Sequence, residues 1–326
     1  MTKPLTNITG IGLPFAVWLA TDGYDFEPGA QRAISATSIM KPVRQILLKE
    51  RLTEDVREAI DVADLIASRT GHALHDSVEK AWMQNYRQAL AKLGYPKDMI
   101  DRVVINPTPE DLRQRNDALP IYIEKRGSRQ IMGYTISGKF DMVALGELND
   151  TKSTSTFSWT KGSKDPLYAL QGSIYKWIHR DIITSDYIKI NFFFTDWQRA
   201  LARNNPDYPQ QRLLSHTVPI WSVEQTDAWL RNKLRELEKY AEADEKDIPF
   251  CTKEDLWMEP PTFKYYSDPS KVTGKSTKNF TDPVEANKYR AEKGKGIVLE
   301  VSGKAKACGY CPCFPICHQK DLYEHA

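Results

Sequence analysis

The stretch ISGKFDMVALGELNDTKSTS, residues 136–155, decides the fold. Phe140, Met142 and Val143, with Tyr134 and Ile136 before them, are strand-forming residues, and Gly138 and Gly146 punctuate them as turns or bulges do. This spacing predicts two short strands. Side chains on a strand alternate faces, so Asp150 and Lys152 point the same way and Thr151 faces the other side. With Asp141 they form a carboxylate pair and a neighbouring lysine. Carboxylates hold a hard divalent cation, and a lysine beside them orients or helps deprotonate an attacking water, as metal-dependent phosphodiester cleavage requires. A solvated surface hairpin is the competing reading. Asp-x-Lys recurs from Asp244 to Lys246 in a charged, helix-prone run where solvation suffices.

With 326 residues the chain is long enough for a substantial core. Its net charge of +2 gives no global attraction to nucleic acid, so such a role rests on local patches. KGSK (161–164) and KVTGKSTK (271–278) are the candidates, and each also reads as a solvated loop. LPFAVWLA (13–20) is too short to span a bilayer, is followed by Asp22 and has one lysine before it. A cytoplasmic chain without a membrane partner is expected. Cys251 stands alone while Cys308, Cys311, Cys313 and Cys317 crowd together, a distribution suited to metal rather than to a disulfide framework. GKST (274–277) lacks the earlier glycine of a phosphate-binding loop, so unwinding of a duplex would need a partner motor.

Residues 34–94 are helix material and predict an N-terminal helical layer. One helix is expected to open at Thr53 and another near Gly71, the latter burying Leu74, Val78, Ala81 and Trp82. His75 and Glu79, one turn apart, lie at the edge of that stripe and are either a surface pair or part of a site. Asp165 and Pro166 suit a helix start, with Gln171 and Tyr175 again one turn apart, and YIKINFFFTDW predicts a buried strand. SVEQ from Ser222 predicts a capping box opening a long helix that ends near Asp247. The middle of the chain is thus α/β, with helices flanking a mixed sheet. Residues 250–326 hold too few aliphatics for an independent core, and a metal would supply the missing stability.

In this order the elements resemble the PD-(D/E)XK nuclease superfamily, in its RecB-like exonuclease branch with bacteriophage members. GHALHDSVE matches the branch's Gly-x-x-x-His helix with its glutamate, through Gly71, His75 and Glu79, and GKFD matches Gly-x-x-Asp, through Gly138 and Asp141. DTK supplies the acid-x-Lys strand, and QGSIY supplies Gln-x-x-x-Tyr. CGYCPCFPIC carries Cys-x-x-Cys-x5-Cys through Cys308, Cys311 and Cys317.

The resemblance implies a restriction-endonuclease-like core at 71–248, preceded by a helical segment at 1–70 and followed by a cysteine-rich module at 249–326. It implies a metal-dependent DNA exonuclease of phage recombination, repair or degradation. Asp141, Asp150, the Thr151 carbonyl and His75 would hold Mg²⁺ or Mn²⁺, and the nitrogen ligand favours Mn²⁺ at least equally. Lys152 would activate water, Glu79 would orient the ligands, and Gln171 and Tyr175 would contact the lysine or the DNA. Iron-sulfur members take a first cysteine from the segment before the core, where this chain has Lys41, Pro42 and Val43. Cys251 is the expected replacement, with Cys313 or His318 as alternatives, for a [4Fe-4S] cluster or a structural Zn²⁺. A helicase, recombinase or single-strand-binding protein is the implied protein partner. The competing function is a catalytically silent nuclease fold acting as a DNA clamp or adaptor.

Overall fold

The computed structural model describes residues 5–21, 32–53, 59–160 and 164–323. The chain divides into two compact units, Met1–Met40 with Glu58–Arg235, and Lys41–Arg57 with Glu236–Ala326.

The first unit is built on a mixed sheet of six strands. Their spatial order is Leu213–Pro219, Tyr187–Phe194, Glu147–Thr154, Met142–Ala144, Leu119–Ile123 and Val103–Ile105. Glu147–Thr154 and Tyr187–Phe194 run parallel, because the helix Asp165–Ile178 carries the chain back between them. The strands on either side of this pair are antiparallel to it. Alternation along the central strands sets the two faces. Leu148, Ile188, Ile190, Phe192 and Phe194 are buried. Gly172 brings the helix close on this side, since a Cβ there would meet Ile188 and Ile220 at 2.8–3.1 Å. Asn149, Thr151 and Asn191 face the other way. There the long helix Ile66–Lys92 packs Trp82, Tyr86 and Leu90 against Val103, Ile121 and Ile123.

A second sheet orders Ala33–Ser35, Tyr134–Lys139 and Arg126–Ile131. Two hairpins meet near the motifs, and each closes through two residues with positive φ: Met132 and Gly133 at 50° and 76°, Leu145 and Gly146 at 52° and 82°. Such turns carry the twist that antiparallel strands require.

Several elements differ from the sequence expectation. Residues 136–155 contain parts of three strands rather than two, because the turn at Leu145 separates Met142–Ala144 from Glu147–Thr154. Ala33–Ser35 is a strand, not helix, drawn into register beside Thr135–Ser137. The helix expected from Thr53 falls partly outside the described residues, and Ile60–Asp61 and Val62–Leu65 are a short strand and a 3₁₀ turn. The His75 helix starts at Ile66, five residues before Gly71. Ser222 and Gln225 exchange the two bonds of the expected capping box. KGSK lies outside the described residues except Lys164. Among the described residues no helix is long and apolar enough to cross a membrane.

In the second unit Thr262–Tyr266 pairs antiparallel with both Lys278–Phe280 and Ile297–Val301, and Pro283–Lys293 covers the sheet with Ala286 and Tyr289. The hairpin continues through Met258 opposite Ala305. It returns the chain to Cys251, whose backbone exchanges two hydrogen bonds with the Gln319 side chain.

Candidate functional site

Three elements of the first unit converge on Asp141, the residue after Tyr134–Lys139 and Phe140. The long helix delivers His75, whose Nδ1 lies 3.3 Å from Asp141 Oδ2. The end of Leu119–Ile123 delivers Glu124, whose backbone N–H donates to the Asp141 carbonyl at 2.9 Å. Glu124 sits at φ 48°, a left-handed conformation that a non-glycine residue holds only where its surroundings impose it. The central strand delivers Thr151, whose N–H donates to Asp141 Oδ2 at 2.7 Å. His75, Glu124 and Asp141 each offer a ligand atom within 4.8 Å of the others. Among the described residues they are the only such group of histidine, cysteine or carboxylate donors.

Sequence reading missed Glu124. The available signal was an acid closing the apolar run LPIYI, but no spacing relates position 124 to 141. Glu79, expected to orient the ligands, lines the same recess as His75, Glu124 and Asp141 without being one of the compact donor group.

Asp150 lies on the opposite face of its strand from Thr151 and is 2% exposed. Gln171 Nε2 donates to Asp150 Oδ1 at 2.9 Å and to the Tyr175 hydroxyl at 3.3 Å. Lys152 Nζ lies 2.8 Å from Asp150 Oδ2, an ion pair without hydrogen-bond alignment, so this buried oxygen has no hydrogen bond. Asp141 keeps 23% of its side-chain surface open, yet protein crowds its other sides. That desolvation, reinforced by the Asp150 carboxylate, pushes Asp141 up to about 8, against the opposing pull of the Thr151 amide and Lys152.

Two glycines let these parts approach. A Cβ on Gly138 would meet the Tyr175 ring at 2.9 and 3.0 Å and Ala36 Cβ at 3.2 Å. One on Gly71 would stand 3.3 Å from Ser153 Oγ, so the bare backbone lets the His75 helix lie close to the Asp150 strand. Beside the carboxylates opens a recess of about 490 Å³, whose wall carries Trp82, Phe193, Leu213 and Leu214 with Asn149 and Asn191.

The cysteines form a separate locus in the second unit. Burial pushes the Cys251 thiol up to about 12, with Asp255 and the sulfurs of Cys317 and Cys311 adding to the rise. Cys308 is raised by burial and by Cys311 and Cys317. Cys251 and Cys308 thus each feel the sulfurs of Cys311 and Cys317. Cys313 is different: it is 1% exposed, and its Sγ donates to the Gln45 carbonyl at 3.4 Å. Its bond to Cys311 is the main cause that lowers that thiol to about 6. Arg44, also 1% exposed, donates from Nε to Cys317 Sγ at 3.2 Å, binds the carbonyls of Glu245 and Ile248, and pairs with the Glu245 carboxylate. His318 Nδ1 lies 2.9 Å from the same carboxylate.

No family model matches this chain, and no curated protein matches it. Among solved structures, that of SSO0001 has 12% identity over 71% of this chain and 87% of its own, at a TM-score of 0.38. A phage-related exonuclease from Haemophilus somnus 129PT has 16% identity over 62% of this chain and 93% of its own, at a TM-score of 0.25.

Proposed function

We propose that this protein is a divalent-metal-dependent DNA exonuclease with a restriction-endonuclease-like core, serving phage DNA recombination, repair or degradation. The observation that supports the reading is that His75, Glu124 and Asp141, far apart in the sequence, each offer a ligand atom within 4.8 Å of the others. His75, Glu124 and Asp141 make a compact donor set, and Asp150 with Lys152 stands beside it.

The donor chemistry fits a divalent cation. Two carboxylates and an imidazole suit Mn²⁺ as well as Mg²⁺. Burial, and then the Asp150 carboxylate, penalise the charged form of Asp141, a penalty that a cation would relieve, and Asp150 Oδ2 is a buried oxygen lacking a hydrogen bond. His75, Glu124, Asp141 and Asp150 would hold the ion, with the Thr151 carbonyl as a further oxygen. The bound ion supplies Lewis-acid polarisation of a phosphodiester and of a water.

The chain's own groups then have separable tasks. Gln171 fixes the Asp150 carboxylate through Oδ1, which leaves Oδ2 turned to Lys152. Lys152, 32% exposed, holds its ammonium at the rim of this cluster, where it orients a water and exchanges protons with solvent. Tyr175 acts through Gln171 as a positioning residue. Cys251, Cys308, Cys311 and Cys317 would hold a [4Fe-4S] cluster or Zn²⁺ that clips the second unit together, since thiolates are the donor type that both take.

The test uses end-labelled linear DNA and closed circular DNA, each with Mg²⁺, Mn²⁺ or EDTA. Metal-dependent loss of the linear form alone is expected. Binding of DNA with no hydrolysis under any condition would replace the exonuclease with the adaptor.

A further inference from the structure

A second recess of about 420 Å³ lies on the loop side of the Tyr187–Phe194 and Leu213–Pro219 hairpin, lined by Trp197, Arg199, Arg203, Gln210, Gln211 and Arg212. Three arginines line it, and among the described residues no acid does. The acids of the intervening segment are placed elsewhere: Asp196 accepts from the Thr156 N–H at 2.7 Å, and Asp207 is exposed outside the recess. Arg199 and Arg203, one turn apart on Arg199–Asn204, project from the same side of that helix. Arg212 is held by the Trp197 carbonyl at 3.3 Å and lies against the Trp197 ring.

This platform is preformed. Trp197 Nε1 donates to the Pro209 carbonyl at 2.8 Å, and the buried Tyr208 hydroxyl accepts from the Gln198 N–H at 3.0 Å. Three arginines lining one recess that no acid lines among the described residues, on a hydrogen-bonded loop, suit successive phosphates of one backbone. The position is informative too. Arg212 directly precedes Leu213 and Leu214, which line the recess beside the carboxylates, and the Arg212 carbonyl accepts from Phe194 N–H, continuing the strand pairing. One unbroken strand pair therefore joins the two recesses.

We propose that the Arg199, Arg203 and Arg212 recess is a second binding site for the phosphate backbone of a single nucleic-acid strand. It grips the strand whose reactive end lies at Asp141 and Asp150. The identity of the strand rests on the nuclease reading; the phosphate chemistry does not. Such a grip outside the reacting centre raises affinity for longer strands and leaves a minimal phosphodiester unaffected.

The test measures fluorescence anisotropy of a labelled single strand of roughly 20 nucleotides in EDTA across a salt series. Wild type is compared with the double variant Arg199→Ala and Arg203→Ala, with Arg212→Ala, and with Arg199→Lys and Arg203→Lys. Both arginines of the double variant are exposed, so the fold is retained. Affinity is expected to fall about tenfold at low salt, and the slope of log affinity against log salt to become shallower by about 1.4, two phosphates at ~0.7 each. The lysine pair should keep most of the slope. Mn²⁺-dependent hydrolysis of bis(p-nitrophenyl) phosphate should be unchanged in the double variant. Unchanged affinity and slope would overturn the assignment while leaving the nuclease reading intact. Displacement of the strand by inorganic phosphate at matched phosphate concentration would overturn it in favour of a small-anion site. Wild type that grips the strand through these arginines yet hydrolyses nothing would sink the nuclease reading and keep the recess.

Discussion

Alanine at Gly138 tests how the site is held together, because it touches no ligand. Its Cβ would lie 2.9 and 3.0 Å from Tyr175 ring carbons and 3.2 Å from Ala36 Cβ, all closer than ordinary contact. Tyr175 is 6% exposed on a helix buried along most of its length, so the ring has little room to retreat. Overpacking of this kind costs about 1–3 kcal/mol. At roughly 2–4 °C per kcal/mol for a unit of this size, melting should fall by about 2–12 °C. The consequence reaches further, because the Tyr175 hydroxyl accepts from Gln171, which in turn positions Asp150. Partners that orient metal ligands are worth about 10–100-fold in metal affinity, so Mn²⁺ binding by calorimetry should weaken at least tenfold. Tyr175→Phe separates the causes: it keeps the ring, costs on the order of 1 kcal/mol, and should still weaken Mn²⁺ binding. Gly274→Ala, where the added carbon meets only the Lys271 carbonyl at 3.5 Å, is the neutral control. A Gly138→Ala protein that melts and binds Mn²⁺ like wild type would refute the chain from Gly138 to Asp150.

Further outcomes are expected elsewhere. Asp61 is held down to about 2, chiefly by the Thr9 hydroxyl and then the Ala63 N–H. Its folded pKa lies below the ordinary 3.8, so its hold on residues 6–9 is present above about pH 4 and is lost as pH falls through 2. Asp61→Asn should lose that hold at every pH, read as faster amide exchange at Ile8 and Thr9; unaltered exchange at neutral pH would count against it. Asp141 is shifted the other way, so its contribution is present below about pH 4 and is lost as pH rises through 8. Metal-free wild type should therefore lose stability relative to Asp141→Asn between pH 5 and 9, and Mn²⁺ should stabilise only wild type; parallel pH profiles would contradict this. For the cysteine locus, serine at Cys251, Cys308, Cys311 or Cys317 should abolish bound iron or zinc by elemental analysis, and Cys313→Ser should retain it. Loss of metal in the Cys313 variant alone would reassign the ligands.

The parts of this architecture that follow from local chemistry were readable in the sequence. β-formers and alternation placed Asp150 beside Lys152, periodicity placed Gln171 and Tyr175 on one helix, and Ser222 with Gln225 marked a helix start. Features set by distant pairing were not readable. Ala33–Ser35 is a strand because Tyr134–Lys139 offers it a ladder about 100 residues away, against its own helix-like composition. Glu124 reaches the site because its strand ends in a left-handed residue bonded to the Asp141 carbonyl, and position 124 carries no mark of that. Gly71 reads as a helix start by propensity, yet it lies inside the helix, where the close approach of Ser153 explains a residue that costs about 1 kcal/mol there.

Asp141 and Lys152 are proposed as parts of one metal-assisted hydrolytic centre. The most direct measurement is the single-turnover rate of linear DNA hydrolysis with saturating Mn²⁺ for wild type, Asp141→Ala and Lys152→Ala, each shown to be folded by circular dichroism. Hydrolysis by wild type that EDTA abolishes is expected, with losses of about 10²–10⁴-fold or more in both variants. Wild-type rates in either folded variant would contradict it.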